Sequence, residues 1–262
     1  MPHAMFTLRA AAALALCALS HPAFAQNATR QTTFVVGAGI GGAADYAGGD
    51  HFKAFPVVFA DYQNANGWFA SVTRGLGYAT RIDRLDLSAA LGYDGGRDDE
   101  KRTFGSGSDD LRGMGKIKGA AVAKLRAGTD LGIVGLSVEA NLALSDRDRG
   151  NSFKVAASAP LLRTPANQVT AVLASQYRDD DGMQTWYGVT PVQSARSGFR
   201  AYQAAGGFDH VNLSLNWNHI LDKSWSVNTT AGVSRLVSDA ADSPLTQRKN
   251  SPLLIGVVNY RF

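Results

Sequence analysis

Residues 252–262 read Pro252-Leu253-Leu254-Ile255-Gly256-Val257-Val258-Asn259-Tyr260-Arg261-Phe262. Side chains alternate sides along a strand with period 2. Leu254, Gly256, Val258, Tyr260 and Phe262 therefore share one face, with Asn259 and Arg261 on the other. An amphipathic last strand that ends on an aromatic carboxylate has the form of the assembly signal of outer-membrane barrels. Tyr260 and Phe262 are its expected determinants. An ordinary edge strand that stops on Phe is the alternative, and the rest of the chain decides between them.

At the other end, Arg9 precedes an apolar run from Ala10 to Leu19, followed by Pro22 and Ala23-Phe24-Ala25. A basic flank, a short apolar run and an A-x-A site describe a secretory signal peptide. The expectation is residues 1–25 as a cleaved signal peptide and 26–262 as a single outer-membrane β-barrel, exported through the inner membrane. Lipoprotein processing at Cys17 is rejected, because Leu16 stands where a small residue is required. Cys17 is the sole cysteine, so the mature chain is held together by something other than disulfides.

Without residues 1–25 the chain carries 25 basic and 22 acidic residues, a net charge of +3. The basic residues are scattered, which argues against nucleic acid as a partner. No apolar run approaches the roughly 20 residues of a spanning helix. With 28 glycines and no long helical periodicity, the chain reads as all-β.

About twelve stretches alternate apolar and polar residues: 32–41, 52–62, 67–75, 84–94, 116–128, 131–145, 150–162, 167–177, 182–190, 208–218, 224–236 and the terminal strand. The second and third flank Asn66-Gly67, a dipeptide suited to the positive φ values of a tight hairpin. Lengths near 9–11 residues match a tilted membrane crossing. The polar face is mostly Ser, Thr, Asn and Gly, as in a barrel lumen rather than a soluble sandwich. In lipid every backbone polar group needs an internal partner, so such a sheet closes on itself. The expected fold is a transmembrane antiparallel up-and-down β-barrel of about twelve strands with outer-membrane lipid around it. Trp68, Trp186, Trp217 and Trp225 are expected in the periplasmic aromatic girdle.

Counting strands from a periplasmic N-terminus sends the loops at 42–51, 191–206 and 237–251 outward. The same count sends the longest loop, 95–115, to the periplasm, although periplasmic turns are usually short. Either the count is off by a pair of strands, or this loop folds into the mouth or meets a periplasmic partner. Arg97, Asp98, Asp99, Glu100, Lys101 and Arg102 make it the candidate partner loop.

The chain resembles the MipA/OmpV family of MltA-interacting outer-membrane proteins. The residues that carry the resemblance are Gly37-Ala38-Gly39, Asp45-Tyr46-Ala47-Gly48-Gly49, Phe55-Pro56, Gly75-Leu76-Gly77 and Gly92-Tyr93-Asp94-Gly95-Gly96-Arg97. Further on come Leu111-Arg112-Gly113-Met114-Gly115, Tyr187-Gly188-Val189-Thr190, Ser197-Gly198-Phe199 and Asp239-Ala240-Ala241-Asp242-Ser243-Pro244-Leu245. Ala47 departs from the pattern, which has an acidic residue there. The resemblance implies a scaffold in cell-wall growth that holds a murein transglycosylase near a murein synthase. Other members are discussed as porin-like, osmotic or adhesive proteins, so a small-solute pore or an osmotic or adhesive outer-membrane protein is the alternative, ahead of a lipid-modifying barrel enzyme.

An enzyme is not expected. His210 lies near Asp209, Asn212 and Ser214, but Ser214 is four residues along one strand, roughly 13 Å away by strand rise. Another strand has to bring the nucleophile within hydrogen-bond reach of such a base. Gly37 to Gly42 superficially resembles a dinucleotide fingerprint without its helix. With no cysteine and no paired histidines, neither metal nor cofactor is expected. The inward charges are the stronger signal. Pairing of 116–128 with 131–145 puts Lys118, Lys124 and Arg126 on one wall with Glu139, as a plug of ion pairs or as a path for anions.

Overall fold

A computed structural model of the protein describes residues 31–102 and 105–262. The expected signal peptide, 1–25, lies outside them. The wall consists of β1 (Thr33–Ala44), β2 (Phe52–Gln63), β3 (Trp68–Ser71), β4 (Gly75–Ile82) and β5 (Leu85–Asp94). Two-residue strands β6 (Arg97–Asp98) and β7 (Ser106–Gly107) pair in the next loop. The wall resumes with β8 (Ala120–Leu131), β9 (Val134–Ala143), β10 (Ser152–Arg163) and β11 (Asn167–Arg178). It ends with β12 (Gly207–Ile220), β13 (Trp225–Leu236) and β14 (Asn250–Arg261). Each of the twelve wall strands pairs antiparallel with its neighbours in the wall, and β14 closes on β1. Closure removes the unpaired edges that an open sheet leaves.

The outer face is apolar. Ile40, Val58, Leu76, Leu91, Leu213 and Leu254 all stand more than half exposed on it. Two aromatic belts bound this band. Near the start of β1 and the end of β14, Trp68 meets Tyr78, and Trp225 meets Tyr260. Near the opposite end Phe153, Tyr177 and Phe208 form a row. On β12, Phe208 and Trp217 mark the two belts nine residues apart. At ~3.3 Å per residue and a tilt of about 40°, that spacing is about 23 Å, close to the apolar height of an outer-membrane barrel.

The lumen has two characters. Inside β14, β1 and β2, Phe55, Val57, Phe59, Ile255 and Val257 pack into an apolar cluster. Gly37, Gly39 and Gly41 face it from β1. A Cβ on Gly41 would overlap the Phe55 ring, and one on Gly37 would overlap Asn259. The glycine run thus makes space for large inward side chains, and no nucleotide-binding helix follows it. Beside the cluster, Thr230 of β13 donates to Asn216 of β12, and the opposite inner wall is polar, with Arg126, Glu139 and Lys154 in one cross-strand row.

The expected number of wall strands is met, but through two offsetting differences. Residues 67–75 are not one strand: β3 ends at Ser71, whose hydroxyl accepts from Thr73 and Arg74 N–H to close a turn onto β4. Residues 182–190 are not a strand either. They carry helix α1 (Asp180–Tyr187), whose first turn is capped by the Asp179 carboxylate accepting from Gly182 N–H. All turns at the end where β1 starts and β14 ends are two to four residues long. The long connections, including 95–119, gather at the other end.

Candidate functional site: the capped barrel mouth

Helices α1, α2 (Pro191–Ser197) and α3 (Ser238–Asp242) lie with the long loops across the mouth. The α2 start has a full capping box, Thr190 with Gln193, and Gly198 in the left-handed region ends it. Two buried clusters hold the cap down. Met183, Trp186 and Tyr187 of α1 pack against Ala204, Leu236 and Ala240. Tyr46 and Leu245 join Leu111, Met114 and Val189, drawing four loops together. The Tyr46 hydroxyl donates to Leu245 O at 2.9 Å. Burial, with Asp45 and Asp110 nearby, pushes its pKa well above the usual tyrosine range.

Beneath α1, three guanidinium groups converge on the Trp186 ring, with Arg178 at 4.7 Å, Arg149 at 5.5 Å and Arg97 at 6.0 Å from its centroid. Arg149 pairs with Asp94 at 2.7 Å and Arg178 with Asp209 at 2.6 Å. Arg97 donates to the Trp186 carbonyl at 2.6 Å, and burial lowers its pKa to about 10. A bulge positions the second carboxylate. Gln176 faces His210 and Tyr177 faces Phe208, so Asp209 is the extra residue of β12 and turns inward beside His210. Such clustered cations over an indole, each with a fixed acceptor, staple the helix to the wall.

His210 Nδ1 stands 2.6 Å from Asp209 Oδ1, at ion-pair distance. No described hydrogen bond joins its ring to a serine; Ser175 Oγ instead donates to the His210 backbone carbonyl. His219 contacts Asn167 at the opposite end of the barrel.

The four predicted lumen charges are not one wall. Lys118 precedes β8 and sits exposed in the loop, where its carbonyl accepts from Arg149. The expected strand start at 116 was too early, because residues 116–119 run with the β6 loop, as the Arg97–Ile117 bridge shows. Lys124 does point inward, and its ammonium donates to Thr73 O at 2.9 Å, bracing the short β3–β4 turn. Arg126 lies directly opposite Glu139, which lies opposite Lys154. Lys154 was missed, although it falls at an inward position of the 150–162 alternation.

The candidate partner loop is at the mouth, on the opposite end from Thr33 and Phe262, so the strand parity that sent it to the periplasm does not hold. Missing the β3–β4 turn shifted every crossing from β4 to the false strand at 182–190. The loop is stitched into the cap. Arg97 is buried, Asp98 accepts from Arg102 at 2.6 Å and Lys116 at 2.8 Å, and Asp99 accepts from Gly113 and Gly115 N–H. Glu100, Lys101 and Arg102 remain at the surface. Trp186 is likewise at the mouth and buried; Trp68, Trp217 and Trp225 lie in the belt near the start of β1 and the end of β14. The buried face of α1, Met183, Trp186 and Tyr187, repeats at helical spacing and was the signal that separated it from a strand.

Tyr260 and Phe262 both face outward at the seam. Phe262 stacks on Phe34 and meets Tyr260 edge-on.

The family described as MltA-interacting protein, MipA, matches residues 36–262. The chain belongs to the MipA family. The curated MltA-interacting proteins of Escherichia coli (strain K12) and Shigella flexneri are each 27% identical to it over 242 residues, covering 87% of this chain and 90% of theirs. Among solved structures, OmpT of Vibrio cholerae aligns at 10% identity and TM-score 0.33, over 78% of this chain and 64% of that one. OprD from Pseudomonas aeruginosa aligns at 11% identity and TM-score 0.35, over 86% and 65%. No residue is carried over from either. As a MipA-family member the protein is an outer-membrane β-barrel, with an apolar band between aromatic belts and a capped mouth.

Proposed function

We propose that this MipA-family barrel is a non-enzymatic scaffold of the outer membrane that holds a murein transglycosylase near a murein synthase during cell-wall growth. The relatives named for interaction with MltA support the first partner. The observation that carries the reading is the capped mouth. Two apolar clusters draw the long loops together there, and the Arg97–Arg149–Arg178 staple fixes α1 in place. A through-pore needs an open water column, whereas a scaffold needs only a rigid body and an exposed rim. Residues 1–25 act as the cleaved export signal in this reading. The termini then lie in the periplasm, and the turns at 64–67, 83–84, 132–133, 164–166 and 221–224 form the rim that meets the murein enzymes.

Purified barrel in planar bilayers and a pull-down with a lytic murein transglycosylase separate the readings. The scaffold retains the enzyme and conducts little. Steady, large conductance whose charge preference changes in Lys124→Glu, with no retained enzyme, overturns it in favour of an anion-selective pore.

A further inference from the structure

We propose that Asp45, His51 and Asp110, with Asp50 beside them, bind a divalent first-row transition-metal ion such as Zn2+ at the barrel mouth. One donor atom from each of Asp45, His51 and Asp110 lies within 4.8 Å of the others. His51 Nδ1 is 3.2 Å from Asp110 Oδ2 and 3.2 Å from Asp50 Oδ1. Two ligands of a tetrahedral zinc ion, each about 2.1 Å from the metal, stand roughly 3.4 Å apart. The donors need only small adjustments to enclose an ion.

The backbone that carries them is already fixed. Asp45 directly follows β1 and His51 directly precedes β2, and Asp45 N–H donates to His51 O at 3.0 Å. Asp110 arrives on the 3-10 turn Asp109–Leu111, where Ser108 Oγ donates to Asp110 Oδ2 at 3.2 Å. Gly107 N–H and Ser106 Oγ both donate to Asp45 O, locking this loop to the β1–β2 loop. Asp45 Oδ1 accepts from Tyr46 N–H, so a second shell orients the carboxylates.

Charge points the same way. Among the described residues, the only cation within ion-pair distance of Asp50 or Asp110 is His51, and Asp45 has none. The neighbouring Lys53 ammonium is held by the Arg102 and Gly105 carbonyls, and Arg112 pairs with Asp109. Lys53 adds a longer-range attraction to Asp45, so one imidazole, even protonated, and one offset ammonium face three carboxylates. A dication balances them. The imidazole nitrogen favours zinc, copper, iron or nickel over calcium and magnesium, which prefer all-oxygen shells. Sequence spacing hid the site, because its ligands come from two loops about sixty residues apart.

The test uses tag-free, folded full-length barrel in chelator-free detergent, titrated calorimetrically with Zn2+. The expected result is one ion per chain, with affinity reduced roughly tenfold or more in both His51→Ala and Asp110→Asn. His219→Ala, at the far end, keeps wild-type affinity. Zn2+ also slows proteolysis of the 95–119 loop in the wild type and not in the two variants, and a heat-modifiable band confirms that each variant is folded. Absence of saturable binding up to ~1 mM Zn2+, or undiminished binding in folded His51→Ala and Asp110→Asn, overturns the proposal.

Discussion

Phe262 stacks on Phe34 with ring centroids 5.0 Å apart and planes 19° from parallel. Its backbone N–H donates to Phe34 O at 3.0 Å. The last residue is thus the final clasp of the β1–β14 seam, on the outer face within the aromatic belt. Deleting Phe262 removes both contacts and frays the step at which the barrel closes. The expected outcome is intact export with a marked loss of folded, heat-modifiable barrel in the outer membrane. Phe262→Tyr retains the ring and is expected to retain assembly; normal folded barrel after the deletion refutes the clasp.

Trp186 links α1 to three arginines and is itself buried, so Trp186→Ala leaves a large void under the cap. Truncations of buried aromatics cost about 3–5 kcal/mol, here charged to the cap rather than to the wall. Limited proteolysis within 179–206 is expected to accelerate strongly while the barrel keeps its resistance to SDS. Arg97→Ala, which loses the bond to the Trp186 carbonyl, is expected to give the same pattern more weakly.

Gly41 faces the Phe55 ring across the β1–β2 pair. Gly41→Ala is expected to destabilise the barrel by about 1–3 kcal/mol through overpacking. Phe55→Leu makes room, so the double variant is expected to recover part of that loss. Urea unfolding in detergent measures both, and a simple sum of the two single effects counts against the contact.

Asp98 gives the cap a defined acid sensitivity. Burial alone pushes its carboxyl up, but Lys116 and Arg102 outweigh that and hold it below the usual carboxylate range. A depressed carboxyl contributes stability that is fully present above the unfolded value of about 3.9 and is lost as pH falls through the folded value. Cleavage of the 95–119 loop by an acid protease is therefore expected to rise only below about pH 4. Asp98→Asn is expected to be cleaved readily by a neutral protease at pH 7 already, and to show no further step with the acid protease as pH falls.

The position of the 95–119 loop fixes its accessibility. With the termini in the periplasm, an epitope inserted at Gly105, whose Cβ position opens onto free space, is expected to be labelled by antibody on intact cells. Labelling seen only after permeabilisation reverses the orientation and returns this loop to the periplasmic enzymes.

Alternation along single strands needs no tertiary information, since successive side chains must take opposite faces and lipid demands a closed sheet. The all-β class, the barrel, the outward face of the last strand and the inward placement of Lys124, Arg126 and Glu139 were accordingly legible from residue order alone. Local alternation does not mark where a strand reverses within an apolar stretch, and the Val72–Arg74 turn rests on a serine hydroxyl and a glycine at positive φ. One missed reversal inverted the side assigned to the 95–119 loop, because parity accumulates along the chain. The convergence of Arg97, Arg149 and Arg178 on Trp186, and of Asp45 and His51 on Asp110, depends on four loops folding onto one mouth. Contacts between residues so far apart in sequence have no local pattern, and only closure of the barrel brings them together.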